Sequence, residues 1–322
     1  MLLDCLLIVV GIAMVLYGAD RLTEGAASLA RRMNVSEMVI GLTIVAAGTS
    51  APELFVSAVS ALNGTPDLAI GNVVGSNIMN TLLIVGVTAM VAPMFISRAT
   101  VSKDIPFSIG AAVLITGLCL DGLDSFSLAG KTISRMDGTL LLATFALFMV
   151  YTFAVTRKNV DSSASSESDA PATAPVWKSL LFVVLGLALL IIGSNCFVDS
   201  ATSVAEILGV SQSVIGLTIV AGGTSLPELA TSVVAARKGQ SAIAIGNVIG
   251  SNVFNILLIL GLTATICPMQ IEGITLVDMV VMLLSVLLLW LFSFTKLTVE
   301  RWEGAVLTLG YAAYLAWLLY NI

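Results

Sequence analysis

Long apolar runs separated by short polar junctions occupy most of the chain, and the few polar residues inside the runs fall at sparse, recurring places. Each run has about the 17–25 residues that a helix needs to cross a hydrocarbon core of about 30 Å. The pattern predicts ten helical spans, at 2–30, 36–61, 68–91, 105–120, 138–156, 179–200, 212–235, 243–266, 274–294 and 303–320. With 58% hydrophobic and 11% charged residues, the chain lies far from a soluble globular composition and is expected to be an all-α membrane protein.

The pattern is written twice. Val39 to Ile96 matches Val214 to Ile271 without a gap at roughly 36 of 58 positions, a constant offset that marks internal duplication. Five spans fall in each half, and translating a five-helix unit once reverses its orientation in the bilayer, so the halves are expected to be inverted repeats. The expected organisation is residues 1–156 as the N-terminal repeat, 157–178 as a linker and 179–322 as the C-terminal repeat.

Basic residues give the orientation independently. With the N-terminus outside, the cytoplasmic loops carry Arg31, Arg32, Arg98, Lys103, Arg157, Lys158, Lys178, Arg237, Lys238, Lys296 and Arg301, and the opposite face receives Lys131 and Arg135. Both termini are then non-cytoplasmic and the linker cytoplasmic. That linker, rich in Ser, Ala, Asp and Pro, has too little apolar surface to pack and reads as a tether. MLLDCLLIVV has no basic n-region or small-residue cleavage site and reads as part of the first span rather than a signal peptide. Cys5, Cys119, Cys196 and Cys267 lie in or beside apolar runs without paired spacing, so they read as packing residues. The net charge of −6 contains no basic tract, which argues against nucleic acid as a partner. No obligatory protein partner is evident, leaving membrane lipid and small ions.

GLTIVAAGTSAPE, Gly41 to Glu53, returns as GLTIVAGGTSLPE, Gly216 to Glu228, and sets one glutamate inside each of two apolar spans. A carboxylate there costs about 2.5–3.5 kcal/mol on insertion scales and must face protein, water or an ion. Pro52 and Pro227 remove an N–H donor and crowd the carbonyls of Gly48 and Gly223, which predicts broken helices with carbonyls freed around Ala46 to Thr49 and Ala221 to Thr224. The following span of each half carries GNVVGSNIMN, Gly71 to Asn80, or GNVIGSNVFN, Gly246 to Asn255. Ser76 and Asn80 share a helical face, as do Ser251 and Asn255. Asn72, Asn77, Asn247 and Asn252 read as interhelical glue or helix caps.

Every candidate ligand is an oxygen, and the chain has no histidine. That disfavours zinc, copper and imidazole proton relays and favours a hard cation: two glutamates with carbonyls and an amide or water supply the roughly 6–8 oxygens that Ca²⁺ takes. Two negative charges equally balance two monovalent ions, so Na⁺ can compete for the same oxygens. Asp20 and Glu24 align with Asn195 and Asp199 across the repeat, with Arg21 placed to neutralise either acid; an interfacial ion pair is the expectation, an ion-entry role the alternative. Asp137 and Glu303, in RMDG and RWEG, read as helix starts.

GTSAPE and GTSLPE, each followed by GNVVGSN or GNVIGSN, resemble the calcium/cation antiporter superfamily, specifically its prokaryotic sodium/calcium exchangers. The resemblance implies that Glu53 and Glu228 are shared Ca²⁺ and Na⁺ ligands, joined by backbone oxygens of Ala46, Thr49, Ala221 and Thr224. It further implies flanking Na⁺ sites completed by Ser50, Ser76, Ser225 and Ser251, with Asn80 and Asn255 bordering the centre. Similar exchangers often carry aspartate at one of the two positions held here by Asn80 and Asn255. The neutral pair lowers the site charge and disfavours K⁺ cotransport.

The function expected is secondary Ca²⁺/Na⁺ antiport by alternating access in the cell (inner) membrane, with no cofactor and no enzymatic activity. No nucleotide-binding motif, nucleophile–base pair or HExxH is present. Ca²⁺/H⁺ exchange at the same carboxylates and passive cation conduction are the alternatives.

Overall fold

The computed structural model describes residues 1–64, 66–120, 128, 130–163, 175–210, 215–271 and 273–320. Apolar composition and backbone self-satisfaction in lipid make helices of nearly all of them. In chain order they are α1 (Leu2–Arg32), α2 (Glu37–Thr49), α3 (Ala51–Leu62), α4 (Leu68–Val91), α5 (Thr100–Leu120), α6 (Arg135–Ser163), α7 (Val176–Ile207), α8 (Thr218–Thr224), α9 (Leu226–Arg237), α10 (Ser241–Ile266), α11 (Leu276–Phe294) and α12 (Arg301–Tyr320). Among the described residues seven helices are long and apolar enough to cross a membrane, or nine when the bent pairs α2/α3 and α8/α9 each count as one span. The chain is a multi-pass membrane protein. Helix α12 matches the expected last span in position, but Arg301, Trp302, Glu303 and its Tyr and Trp residues dilute its apolar character.

Short strands occupy the junctions: β1 (Met94–Phe95), β2 (Thr132–Ile133), β3 (Met269–Gln270) and β4 (Thr298–Val299). Helix α6 continues to Ser163 and α7 begins at Val176, so both trim the expected linker; its centre, 164–174, and the start of the expected seventh span, 211–214, lie outside the described residues.

The helices form two compact units, each drawing on both halves of the sequence. The first comprises Met1–Thr49 and Leu147–Gly250. Its axis is the α1/α7 pair, joined backbone to backbone: a Cβ at Gly11 would lie 2.8 Å from the Gly193 carbonyl oxygen, and one at Gly18 2.8 Å from that of Gly186. In lipid, where burial of apolar side chains gives helices little reason to associate, such close approach supplies the packing that does. Ser28 and Ser179 add a buried hydroxyl–hydroxyl bond of 2.8 Å. The outward side chains of α1, including Leu2, Leu6, Val9 and Leu16, are exposed as a lipid-facing surface requires.

The second unit comprises Ser50–Ala146 and Ser251–Ile322. Its contacts are reciprocal between the sequence halves. Strand β1 pairs antiparallel with β4, Met94 opposite Val299, while β2 pairs with β3, Ile133 opposite Met269. Likewise Gly86 of α4 meets Gly304 of α12, and Gly261 of α10 meets Gly138 of α6, with built Cβ-to-carbonyl distances of 2.6–3.2 Å. Side-chain caps start the helices behind the strands, as expected for Asp137 and Glu303: Asp137 accepts the Ser134 N–H at 2.8 Å and Glu303 the Glu300 N–H at 2.7 Å. Asp278 accepts both the N–H and the hydroxyl of Thr275 in a capping box.

Candidate functional site

The two glutamate-bearing segments fold alike. A π-helical turn, Gly41–Val45 or Gly216–Val220, leads into four α-helical residues, and the helix then breaks at Ser50 (φ −80°, ψ 7°) or Ser225 (φ −90°, ψ 7°) before α3 or α9 begins. The bends are 46° and 54°. The break is the expected one, but the proline does not sit mid-helix. Pro52 and Pro227 occupy the first turn of the new helix, where no intrahelical N–H bond is required and the ring presets φ. Glu53 and Glu228 therefore stand at the third position of a helix, in the field of its positive end, which favours a carboxylate. They are 1% and 0% exposed, far too buried for carboxylates held by water alone.

Each glutamate is tied to the following span through its backbone. Asn72 of α4 donates from Nδ2 to the Glu53 carbonyl oxygen at 3.3 Å and to Ser57 Oγ at 3.1 Å. Asn247 of α10 makes the identical pair, to the Glu228 carbonyl oxygen at 3.3 Å and Ser232 Oγ at 3.1 Å. The asparagines expected as glue are the struts that hold the glutamate-bearing turns. Asn247 Oδ1 also accepts from Thr49 Oγ1 at 3.1 Å.

The candidate ligands divide between the units. The first holds Ala46, Thr49, Ala221, Thr224, Ser225 and Glu228; the second holds Ser50, Glu53, Ser76, Asn80, Ser251 and Asn255. Ala46, Thr49, Ser50, Ser76, Asn80, Ser225, Ser251 and Asn255 are all buried, while Thr224 is half-buried. In the second unit, Asn80 donates from Nδ2 to Asn252 Oδ1 at 3.2 Å and Asn255 from Nδ2 to Asn77 Oδ1 at 3.3 Å. The amide oxygens of Asn80 and Asn255 remain buried without a hydrogen bond among the described residues. Both sit on π-helical stretches, Asn80–Ile84 and Phe254–Leu260, whose wider turns reset the helical face from that point on.

Three features had no signal in the sequence. The Gly223 carbonyl freed by Pro227 accepts a hydrogen bond from Ser194 Oγ of α7 rather than standing open. Asp20 pairs with Lys238 at 2.6 Å, a residue beyond the end of α9, while Arg21 pairs with Glu24 at 2.9 Å and stacks against Tyr17 and Phe182. The expected ion pair is thus present, with Lys238 as an added partner. Asp199, the repeat equivalent of Glu24, is exposed and has no ion pair among the described residues. The π-helical turns are the third feature.

Known proteins resemble this chain over nearly its whole length. The sequence pattern of the sodium/calcium exchanger protein family matches residues 4–154 and 178–320. The chain is 40% identical to CaxA of Alkalimonas amylolytica, with 98% of each chain covered. It is 36% identical to the inner membrane protein YrbG of Escherichia coli, over 99% of this chain and 97% of YrbG. It is 35% identical to the sodium/calcium exchanger MaX1 of Methanosarcina acetivorans, over 98% of each. A solved structure of the sodium-calcium exchanger NCX_Mj, soaked with Na⁺ and Ca²⁺, superposes with a TM-score of 0.80 at 33% identity over 98% of both chains. By family pattern, full-length similarity and fold, this chain belongs to the sodium/calcium exchanger protein family.

Proposed function

We propose that the chain is a secondary antiporter that exchanges Ca²⁺ for Na⁺ across the cell membrane by alternating access, with Ca²⁺ extrusion driven by the inward Na⁺ gradient. The observation that carries this reading is the matched pair of fully buried carboxylates, Glu53 and Glu228, each at the positive end of a half-helix inside an apolar span. Its relatives MaX1 and NCX_Mj bear the name of sodium/calcium exchangers. Ten spans in two five-helix repeats of inverted topology, with both termini non-cytoplasmic, complete the reading. The 175-residue offset that relates the motifs and the reciprocal β1/β4 and β2/β3 pairings support the duplication, and the one-sided Lys and Arg distribution supports the orientation.

In this reading Glu53 and Glu228 serve Ca²⁺ and Na⁺ in turn. Backbone oxygens of Ala46, Thr49, Ala221 and Thr224, hydroxyls of Ser50, Ser76, Ser225 and Ser251, and amides of Asn80 and Asn255 complete the coordination. These are hard oxygens suited to both ions. Coupling arises from competition: one pair of carboxylates cannot hold both loads, and two bare carboxylates are costly to carry through a low-dielectric barrier. Helices α1 and α7, locked through their glycines, move as one body to alternate the access.

The test is ⁴⁵Ca²⁺ uptake into Na⁺-loaded proteoliposomes under an outward Na⁺ gradient, a proton gradient or none. Uptake is expected only with the Na⁺ gradient and should fall at least about a hundredfold in Glu53→Gln and in Glu228→Gln. Proton-driven uptake would reassign the counter-ion, and gradient-independent flux would replace the antiporter with a channel.

A further inference from the structure

A side-chain amide presents two opposite chemistries, a carbonyl oxygen that can coordinate a cation and an NH₂ group that repels one. Which end Asn80 and Asn255 offer is decided by neighbours that are not themselves candidate ligands. The chain of constraint starts at Thr81. Its single hydroxyl proton goes to the Asn77 carbonyl oxygen at 3.0 Å, so the oxygen has only lone pairs left to offer. The group facing it must then be a donor, and Asn252 Nδ2 fills that role at 2.9 Å. With its NH₂ committed, Asn252 turns Oδ1 toward Asn80, and Asn80 must answer with Nδ2, at 3.2 Å. The Asn80 oxygen is thereby left facing away from the relay.

A second arm ends the same way. Asn77 Nδ2 donates to the Asn252 backbone carbonyl at 3.4 Å, an acceptor that admits only a donor. Asn77 Oδ1 is left for Asn255, which turns Nδ2 to it at 3.3 Å and keeps its own oxygen free. Asn77, Asn80, Thr81, Asn252 and Asn255 are all at most 2% exposed, so water is not available to reverse any of these choices. The two oxygens that end the arms, Asn80 Oδ1 and Asn255 Oδ1, are both buried acceptors without a hydrogen bond among the described residues. Leaving two such oxygens bare is costly unless something else fills them.

We infer that Thr81, Asn77 and Asn252 are positioning residues: they form a hydrogen-bond relay of fixed polarity that turns the amide oxygens of Asn80 and Asn255 toward the transported cation. The inference rests on the proposed antiport. The relay lets two neutral residues act as oriented ligands without added charge. The repeat equivalent of Thr81 is Ile256, so the hydroxyl that sets one arm has no counterpart in the other half and the backbone carbonyl of Asn252 serves instead.

The test measures Na⁺-driven ⁴⁵Ca²⁺ uptake by full-length protein in proteoliposomes as a function of Ca²⁺, for Thr81→Val and Thr81→Ser. Thr81→Val keeps the shape and removes the oxygen that fixes Asn252. Its half-saturating Ca²⁺ is expected to rise about tenfold while the maximal rate stays within about twofold, and Thr81→Ser is expected to match the parent. Asn77→Leu, nearly isosteric, interrupts the other arm and is expected to show the same split; it serves if Thr81→Val does not fold. An unchanged half-saturation in the folded variants, or the same defect in Thr81→Ser as in Thr81→Val, overturns the relay. Absence of Na⁺-driven uptake in the parent protein overturns the antiport reading on its own, and Ca²⁺-dependent thermal protection of the parent and Thr81→Val, compared in detergent, still reports the relay.

Discussion

The turn that carries Glu53 and the turn that carries Glu228 are drawn from one template, yet the spans that brace them are packed differently. Asn72 and Asn247 make the same two bonds at the same distances, but Asn247 is fully buried and also accepts from Thr49, whereas Asn72 is half-buried. The glycines around them diverge further. Gly246 and Gly250 lie against the backbone of α2, with a built Cβ at Gly250 falling 2.6 Å from Ala46 Cβ and 2.8 Å from the Leu42 carbonyl oxygen. Their equivalents Gly71 and Gly75 are half-buried, and among the described residues no atom lies within 4 Å of a Cβ built at either. Duplication thus preserved the bonds that fix the carboxylates and left the packing of their supports free to differ.

The comparison breaks most visibly at the glycines. Gly250→Ala forces a methyl group into backbone and is expected to cost about 3 kcal/mol or more, whereas Gly75→Ala is expected to stay within about 0.5 kcal/mol. Thermal unfolding of the purified protein in detergent distinguishes them, and equal losses in both would show that the packing difference does not bear on stability.

The struts come next. Asn247→Ala removes three bonds, to the Glu228 carbonyl, the Ser232 hydroxyl and the Thr49 hydroxyl, at a fully buried position, at an expected cost of about 2–3 kcal/mol; Asn72→Ala removes two bonds at a half-buried position and is expected to cost about 1 kcal/mol. If the costs are reversed, burial is not what ranks the two struts.

The carboxylates and the repeat were legible in the sequence because a charge in an apolar run is conspicuous and a constant offset needs no structure to detect. The helix breaks were legible from Pro52 and Pro227, although the turn itself falls at Ser50 and Ser225 and the prolines merely suit the first turn of the helix beyond it. The features that escaped are set by partners distant in sequence. Ser194 caps Gly223 from another helix, Asn80 and Asn252 are 172 residues apart, and Lys238 reaches Asp20 across 218. Local periodicity marks a residue as polar and inward but carries no information about which end of its amide is engaged. The π-helical turns escaped for a related reason: they shift the helical register without a compositional mark that separates them from α-helix.

The smallest expected difference lies at the far ends of the glutamate helices. The loop after α9 reads Lys238–Gly239 and the loop after α3 reads Asn63–Gly64, with both glycines at positive φ (75° and 80°), so the backbone turn is common and only the side chain differs. Lys238 bonds the Asp20 carboxylate at 2.6 Å, the Asp20 carbonyl oxygen at 2.8 Å and Thr23 Oγ1 at 3.0 Å, joining the end of α9 to α1. Asn63 has no such charge, and α7 offers Asn195 where α1 has Asp20. Lys238→Asn makes the two loops chemically alike. Because Lys238 and Asp20 are 30% and 40% exposed, solvent screens the pair, and the expected loss is no more than about 1 kcal/mol. The Coulombic part of that loss should shrink as ionic strength rises from about 0.05 to 0.5 M, since the screening length falls from more than 10 Å to a few ångströms. Thermal unfolding of parent and variant across that range checks the origin of the effect. A loss that does not change with salt would assign the link to the two neutral hydrogen bonds, and no loss at all would make Lys238 a surface residue like its counterpart Asn63.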